Sequence, residues 1–138
     1  MKKFDPLKVF ILTLPIVLAI DFVWIGVIAT NFYNTELGLL AKRSGESLAP
    51  NWPAAILVYI LIVAGIVFFV WSRANGQVVK GLLLGAFFGL VVYGVYDLTN
   101  YATLVNWSIK MTIVDTLWGV IICGITGLIA VFIGNFLK

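Results

Sequence analysis

Histidine is absent from this chain of 138 residues, and cysteine and charged residues are rare. Without histidine, the protein lacks the commonest general base, the commonest transition-metal ligand and the side chain that most often senses pH near neutrality. Its single cysteine, Cys123, can form neither an intramolecular disulfide nor a cysteine metal cluster. We therefore expect no metal site and no cofactor, and we expect any ionisable chemistry inside the membrane to be that of carboxyl groups.

The scarcity of charge excludes most soluble folds. Charged residues make up 11% of the chain and apolar residues 62%, against roughly a quarter and a half in soluble domains. A soluble domain of this size cannot bury so much apolar surface. The net charge of +3 is small and spread over the ends of the apolar stretches, so it gives no basis for nucleic-acid binding. The expected partner is the lipid bilayer.

Four apolar stretches are long enough to cross a bilayer, which takes about 20 residues of helix. In hydrocarbon, backbone amides must be hydrogen-bonded within their own segment, and the alternation typical of barrel strands is missing. The predicted helices cover about residues 8–31, 53–71, 80–104 and 109–136, with an external loop at about residues 32–52. Residues 1–138 are thus predicted to form one integral membrane domain, an all-α bundle of four transmembrane helices.

Basic residues are unevenly distributed between the two predicted sides of the membrane. The richer side holds six: Lys2, Lys3, Lys8, Arg73, Lys80 and Lys138. The other side holds three: Lys42, Arg43 and Lys110. Because basic loops are retained in the cytoplasm, we predict that both termini are cytoplasmic.

A cleaved signal peptide is the alternative interpretation of the N-terminal segment. Lys2 and Lys3 precede an apolar run, and Val27 and Ala29 form a weak cleavage site. However, the run continues past about 20 residues and contains Asp21, whereas the apolar core of a signal peptide is shorter and uninterrupted. We therefore predict a first membrane helix.

Three aspartates, Asp21, Asp97 and Asp115, lie inside the apolar stretches. A charged aspartate at the centre of a membrane helix costs about 2.5 to 3.5 kcal/mol, so ionisable residues there mark functional sites by default. With the predicted orientation, Asp21 lies near the middle of its helix and the other two lie in the outer half of theirs. The three are therefore predicted to meet in a polar cavity of the first, third and fourth helices. Close carboxyl groups at low dielectric tend to share a proton, as in proton carriers and cation sites.

Polar and aromatic residues stand beside these aspartates at helical spacing. Trp24 and Trp118 each follow an aspartate by three residues, and both lie inside a helix rather than at the membrane boundary where tryptophan is common. The candidate proton- or ligand-binding residues beside the three aspartates are Trp24, Tyr93, Tyr96, Asn100 and Trp118. Lys110 is a further candidate, as an ion-pair partner for Asp115.

Three functional hypotheses follow from this pattern. The leading one is proton- or cation-linked transport or binding of a small molecule or lipid at the aspartates. The second is a membrane-embedded enzyme that uses aspartate as acid and base on a lipid-like substrate. No phosphate loop, serine nucleophile motif or zinc-ligand spacing occurs, so we assign no catalytic residue and favour a non-enzymatic role. In the third, a structural or accessory protein, aspartates bonded to Asn100, Tyr96 or tryptophan donors hold the helices together.

Three glycines, Gly81, Gly85 and Gly89, stand four residues apart on the third predicted helix. Small residues at this spacing let another helix approach closely. The partner is either a helix of the same chain or a second copy of it. Because four helices are few for enclosing a transport path, we expect a homodimer, with the glycine face as one route to it.

Four segments resemble a family of small bacterial membrane proteins catalogued as domain of unknown function 2177. They are Asp21–Trp24, Pro53–Tyr59, Tyr93–Ala102 and Val114–Gly119, and Tyr96-Asp-Leu-Thr-Asn100 is the most specific element. The resemblance covers nearly the whole chain and implies a multi-pass protein of the bacterial cytoplasmic (inner) membrane. It implies no established activity or cofactor, but relatives are often encoded near lipid-modifying enzymes, which favours a lipid or lipid-like ligand.

Overall fold

The computed structural model describes residues 5–138, so Lys2 and Lys3 lie outside the described residues. Four of its helices are long and apolar enough to cross a membrane: Pro6–Ile28, Trp52–Ala74, Val78–Thr103 and Ile109–Phe136. We refer to them as the first to fourth spans. Their ends lie within three residues of the predicted ends. The predicted fold class, an all-helical membrane bundle, is confirmed.

Three spans begin at a residue whose side chain caps the helix. Asp5 accepts a hydrogen bond from the backbone N–H of Leu7 at 3.1 Å, and Pro6 opens the first span. Asn51 caps the second span in the same way, and Ser108 caps the fourth by accepting from the N–H of Met111 at 2.9 Å. These caps satisfy helix-end amides that would otherwise have no partner at the membrane surface.

The first two spans change their winding along their length. The first is α-helical over Pro6–Val23 and π-helical over Trp24–Ile28. The second is α-helical over Trp52–Gly65, π-helical over Ile66–Trp71 and α-helical again over Ser72–Ala74. The third and fourth spans are α-helical throughout. Because π-helical turns rotate the residues that follow and are frequent at functional sites, both segments are of interest.

The loop between the first two spans is folded. It contains a helix at Thr30–Leu37, which we call the connecting helix, a 3₁₀ turn at Gly38–Leu40 and a small antiparallel hairpin that pairs Arg43–Ser44 with Ser47–Leu48. The guanidinium of Arg43 donates to the carbonyl oxygens of Asn34 at 2.8 Å and Gly38 at 3.1 Å. Arg43 therefore caps the C-terminal end of the connecting helix and ties it to the hairpin.

The glycine face of the third span packs against the fourth span of the same chain. A Cβ atom added at Gly89 would lie 2.1 Å from the carbonyl oxygen of Gly119, and one added at Gly85 would lie 2.3 Å from that of Cys123. One added at Gly81 would lie 2.6 Å from the Val131 side chain. The glycines thus allow direct backbone contact. Of the two partners left open for this face, the structure shows a helix of the same chain, the fourth span; a homodimer stays a prediction.

Candidate functional site

Asp21 is a buried hydrogen-bond acceptor, with 3% of its surface exposed. The indole N–H of Trp118 donates to its Oδ1 at 2.6 Å, and the Tyr59 hydroxyl donates to its Oδ2. Both carboxyl oxygens therefore have a donor. Tyr59 belongs to the second span, so the second span joins the first, third and fourth in forming the site, which the sequence analysis did not anticipate.

Asp115 is held by a tyrosine from outside the spans. The Tyr33 hydroxyl, on the connecting helix, donates to Oδ1 of Asp115 at 2.5 Å, and the indole N–H of Trp24 donates to the Tyr33 oxygen at 3.2 Å. Burial, and then the nearby Asp115 carboxyl, raises the pKa of the Tyr33 phenol above its ordinary value. Tyr33 therefore stays a donor throughout the physiological pH range.

Two tryptophans connect these two acceptors. The rings of Trp24 and Trp118 are stacked, with centroids 4.3 Å apart and planes 10° from parallel. Trp118 donates to Asp21, while Trp24 reaches Asp115 through Tyr33. Stacking orients each ring so that its N–H points towards its acceptor. This explains why both tryptophans lie within the apolar part of the sequence and not at its boundaries.

Asp97 has the poorest supply of donors. Its surface is fully buried, and Oδ2 accepts from the Thr116 hydroxyl at 3.2 Å. Within residues 5–138, Oδ1 has no hydrogen-bond donor. Thr116 directly follows Asp115, which brings the carboxyl groups of Asp97 and Asp115 close enough to interact electrostatically. Because a carboxylate is only an acceptor, such a pair forms a hydrogen bond only when one member carries a proton.

The three aspartates thus form a close pair and a separate single group. In the described part of the chain, no three carboxyl or thiol side chains converge as a metal site would require. Asp97 is bonded to Thr116, the neighbour of Asp115 in sequence. Asp21 is connected to Asp115 through the stacked indoles and Tyr33. The polar cavity that we expected at this position stays a prediction.

The remaining predicted neighbours of the aspartates lie in different surroundings. Tyr93 packs on Gly119, where an added Cβ would lie 2.1 Å from the Tyr93 ring. Tyr96 is 56% exposed and meets Trp107 edge to face, and Asn100 is half-buried on the same helix. Among the hydrogen bonds within residues 5–138, those to the three intramembrane aspartates come from other side chains.

Lys110 does not pair with Asp115. Its amino group lies 3.7 Å from Oε1 of Glu36, and Oε2 of Glu36 accepts from the Ser108 hydroxyl at 2.5 Å. Lys110 is exposed at the start of the fourth span, so its long side chain reaches the loop instead of the apolar interior. Glu36 and Tyr33, three residues apart on the connecting helix, therefore attach that helix to the fourth span at two points.

A family model described as "Predicted membrane protein (DUF2177)" matches residues 6–132. The chain belongs to this family. The match contains every segment on which the resemblance was based, so the predicted family is confirmed. No curated protein and no solved structure matches the chain.

Sequence reasoning missed three donors in this DUF2177 protein: Tyr33, Tyr59 and Thr116. Tyr59 had a usable signal, since it is the one side chain with a hydroxyl between Pro53 and Val70, and a tyrosine buried among apolar groups usually has a partner. Thr116 directly follows Asp115, and the sequence analysis considered only the aspartate at this point of the helix. Tyr33 lay in a segment predicted to be a solvated loop, where a tyrosine carries no particular signal.

Proposed function

We propose that this membrane protein takes up and releases a proton at the Asp97–Asp115 pair. The proton cycle is linked to the transport or binding of a small molecule or lipid. The observation that carries the proposal is that Asp97 is fully buried, has one oxygen without a donor, and is bonded through its other oxygen to Thr116, the residue next to Asp115. Proton exchange is the simplest way to change the charge of such a pair.

The surroundings of the pair favour a bound proton, and not a permanent cation, as the group that neutralises its charge. Lys8 pairs with Asp5 and Lys110 pairs with Glu36, and both of these carboxylates lie outside the spans. A permanent cation beside Asp97 or Asp115 would hold both carboxylates charged and remove the need for a shared proton. The pair is therefore suited to gaining and losing a proton, the property that proton-coupled membrane proteins require of intramembrane carboxyl groups.

Asp21 has a different role in this proposal. Both of its oxygens have donors, one from the second span and one from the fourth. It therefore holds three spans in a defined arrangement, the structural role that the third hypothesis assigned to all of the aspartates. The stacked Trp24 and Trp118 connect Asp21 to the pair. A change in the protonation of Asp115 therefore alters the packing around Asp21.

The connecting helix is the element through which a proton cycle would act on a ligand. Tyr33 donates to Asp115, and the strength of that hydrogen bond depends on whether Asp115 is charged. Protonation of Asp115 therefore weakens one of the two attachments of the helix and leaves the Glu36 attachment in place. We propose that this change opens the site to a small molecule or lipid.

The proposal includes the identity of the membrane and the orientation of the protein in it. We propose a bacterial cytoplasmic membrane with both termini on the cytoplasmic side, which the excess of basic residues at that end supports. Reporter fusions at the N-terminus, at the C-terminus and in the hairpin measure this directly. A terminus on the outer side would place the aspartate pair in the inner half of the membrane.

Infrared spectroscopy of the protein in lipid nanodiscs tests the proton site. We expect the carbonyl band of a buried protonated carboxyl group, lost in a single titration as the pH is raised. Asp97→Asn and Asp115→Asn should each remove the titrating band because the pair shares one proton. The introduced amide donates to the remaining carboxylate, so both variants should fold.

Two further variants make the result specific. Asp5→Asn changes an exposed aspartate outside the membrane core and should leave the titrating band unchanged. Asp21→Asn should also keep the band while lowering stability, because Asp21 holds spans together. If the wild-type band survives in both folded pair variants, the proposed proton site is wrong. If it disappears only in Asp21→Asn, the roles assigned to the carboxyl groups are reversed.

A further inference from the structure

A groove of about 690 Å³ lies at the end of the bundle away from the aspartates, between the beginning of the first span and the end of the second. Its walls are mostly apolar and include Phe10, Ala64, Val67 and Phe68. Phe10 precedes Asp21 by eleven residues, or about 16 Å along the helix. The groove is thus separate from the carboxyl pair.

The second span is π-helical along this groove. The segment Ile66–Trp71 has one side buried in the bundle, through Ile66, Val67 and Val70, while Phe68 is 71% exposed. The groove therefore has a packed floor and a wall that faces the surrounding hydrocarbon. Its dimensions and apolar lining suit an alkyl chain, because a chain lying in the groove gains van der Waals contacts that an empty groove lacks.

Arg73 stands at the rim of the groove. Its Nη1 donates to the carbonyl oxygen of Phe69 at 3.2 Å, and its guanidinium carbon lies 5.9 Å from the centre of the Phe69 ring. These contacts use one of the five guanidinium N–H donors and hold the group above the apolar wall. Among residues 5–138, no carboxylate forms an ion pair with Arg73. The guanidinium therefore keeps its charge and most of its donors for an anion.

The whole end of the bundle is positive. The basic residues of the described chain at this end are Lys8, Arg73, Lys80 and Lys138, against one acidic residue, Asp5, which pairs with Lys8 at 3.8 Å. Basic side chains at a membrane boundary attract anionic lipid headgroups, by about 1 kcal/mol for each charge near the surface. The charge at this end therefore favours one class of lipid over the zwitterionic ones.

We propose that the groove is a binding site for an anionic glycerophospholipid. One acyl chain lies along Phe10, Ala64 and Phe68, and the phosphate is bound by the guanidinium of Arg73. A planar guanidinium matches phosphate oxygens with two parallel hydrogen bonds, which an ammonium group cannot do. An isolated phosphate ion would satisfy Arg73 but leave the apolar groove without a ligand, so a membrane lipid is the occupant that uses both features.

Native mass spectrometry of the intact protein, released from micelles, measures the retained lipid directly. Phosphatidylglycerol and phosphatidylcholine with identical acyl chains serve as the probes, and inorganic phosphate serves as the headgroup alone. We expect one phosphatidylglycerol to bind more tightly than phosphatidylcholine, by about fivefold or more for one charge. Inorganic phosphate at the same concentration should not compete.

Two variants separate the headgroup from the chain. Arg73→Gln should reduce phosphatidylglycerol binding to the level of phosphatidylcholine, whereas Lys80→Gln, which removes a charge at the same end but outside the groove, should retain the preference. Ala64→Trp fills the groove and should weaken both lipids together. Ala54→Trp, at an exposed position near the other end of the same span, is its control for added bulk.

Three results would overturn the proposal. The first is equal affinity for the two lipids in the wild-type protein. The second is a preference that survives Arg73→Gln, and the third is full competition by inorganic phosphate, which would indicate a simple anion site. These outcomes are independent of the carboxyl pair, since Asp97→Asn should bind phosphatidylglycerol as the wild-type protein does.

Discussion

The contact between the third and fourth spans has two halves of opposite character. In one half, Gly81, Gly85 and Gly89 bring the two backbones together with hardly any side chain between them. In the other half, Asp97 accepts a hydrogen bond from Thr116, the residue next to Asp115. The glycine half holds the helices at a fixed separation. The polar half can therefore keep two carboxyl groups adjacent, although these would repel each other if both were charged.

This difference separates the source of stability from the source of chemistry. Close packing of backbones depends on shape and is insensitive to pH, whereas hydrogen bonds among carboxyl and hydroxyl groups depend on which group carries a proton. A helix pair built only from the polar half would change its geometry with each protonation step. In the proposed proton cycle, the glycine half would hold the two helices in place while the hydrogen bonds of the polar half change.

The largest expected effect comes from disrupting the glycine half. Gly89→Ala would place a Cβ 2.1 Å from the Gly119 carbonyl oxygen, so the helices must move apart, at a cost of about 3 kcal/mol in the free energy of unfolding. Reversible unfolding of the protein in mixed micelles, followed by circular dichroism, measures the change. Gly94→Ala is the matched control because its added Cβ would lie 3.8 Å from Thr116, an ordinary contact. Equal stability of the two variants would contradict the assignment.

A smaller loss is expected when Asp21 loses a donor. Trp118→Phe keeps a ring that can stack on Trp24 but removes the N–H that donates to Asp21. The cost of leaving that buried oxygen without a partner is about 1 to 3 kcal/mol. Trp52→Phe, at an exposed tryptophan stacked on Phe22, should change stability much less under the same unfolding measurement. A large loss in that control would show that ring size, not the hydrogen bond, decides the result.

A modest effect is expected from removing the donor to Asp97. Thr116→Val preserves the shape of the side chain and deletes the hydroxyl, and hydrogen bonds between membrane helices contribute about 0.6 kcal/mol on average. The infrared carbonyl band of the pair should move to higher frequency because it loses a hydrogen bond. Thr116→Ser retains the hydroxyl and should leave the band in place. An unmoved band in Thr116→Val would mean that Thr116 does not contact the titrating group.

The last effect is absent at neutral pH and concerns the phenol of Tyr33 at alkaline pH. Its pKa is raised by burial and by Asp115, so the folded protein holds this proton more tightly than the unfolded chain does. The resulting stability is complete below the unfolded pKa of about 10 and is lost as the pH rises above it, by at most about 1.4 kcal/mol per pH unit. Tyr33→Phe should reduce this alkaline loss when each protein is compared with itself at pH 7. An unchanged alkaline slope would contradict the prediction.

The fold was largely predictable because its determinants are local. Hydrocarbon requires each crossing segment to satisfy its own backbone, so an apolar stretch of sufficient length is a helix whatever it packs against. The glycine spacing on the third span likewise indicated a close helix contact. The sequence analysis did not name the partner, although Gly119 and Gly127 on the fourth span are eight residues apart, as Gly81 and Gly89 are, and meet them in the structure.

The site was predictable in its acceptors and only partly in its donors. Three carboxyl groups in apolar sequence are conspicuous because of their cost in a membrane, and the displaced Trp24 and Trp118 indicated indole donors. Tyr96 and Asn100 were placed near Asp97 by spacing on one helix, yet the donor that Asp97 receives is Thr116 of the fourth span. Spacing identifies a shared face of a helix, but a long side chain on that face can still point along it or outward.

By itself, the sequence determined that this protein has four helices long and apolar enough to cross a membrane and that three aspartates lie within them. The tertiary structure alone decided which donors each carboxyl group receives. Trp118 reaches Asp21 across 97 residues of sequence, and Tyr33 reaches Asp115 across 82. Burial in the membrane follows from the amino-acid composition of each segment. A hydrogen bond between segments depends on how far apart and at what rotation the helices pack, and only the folded bundle sets both.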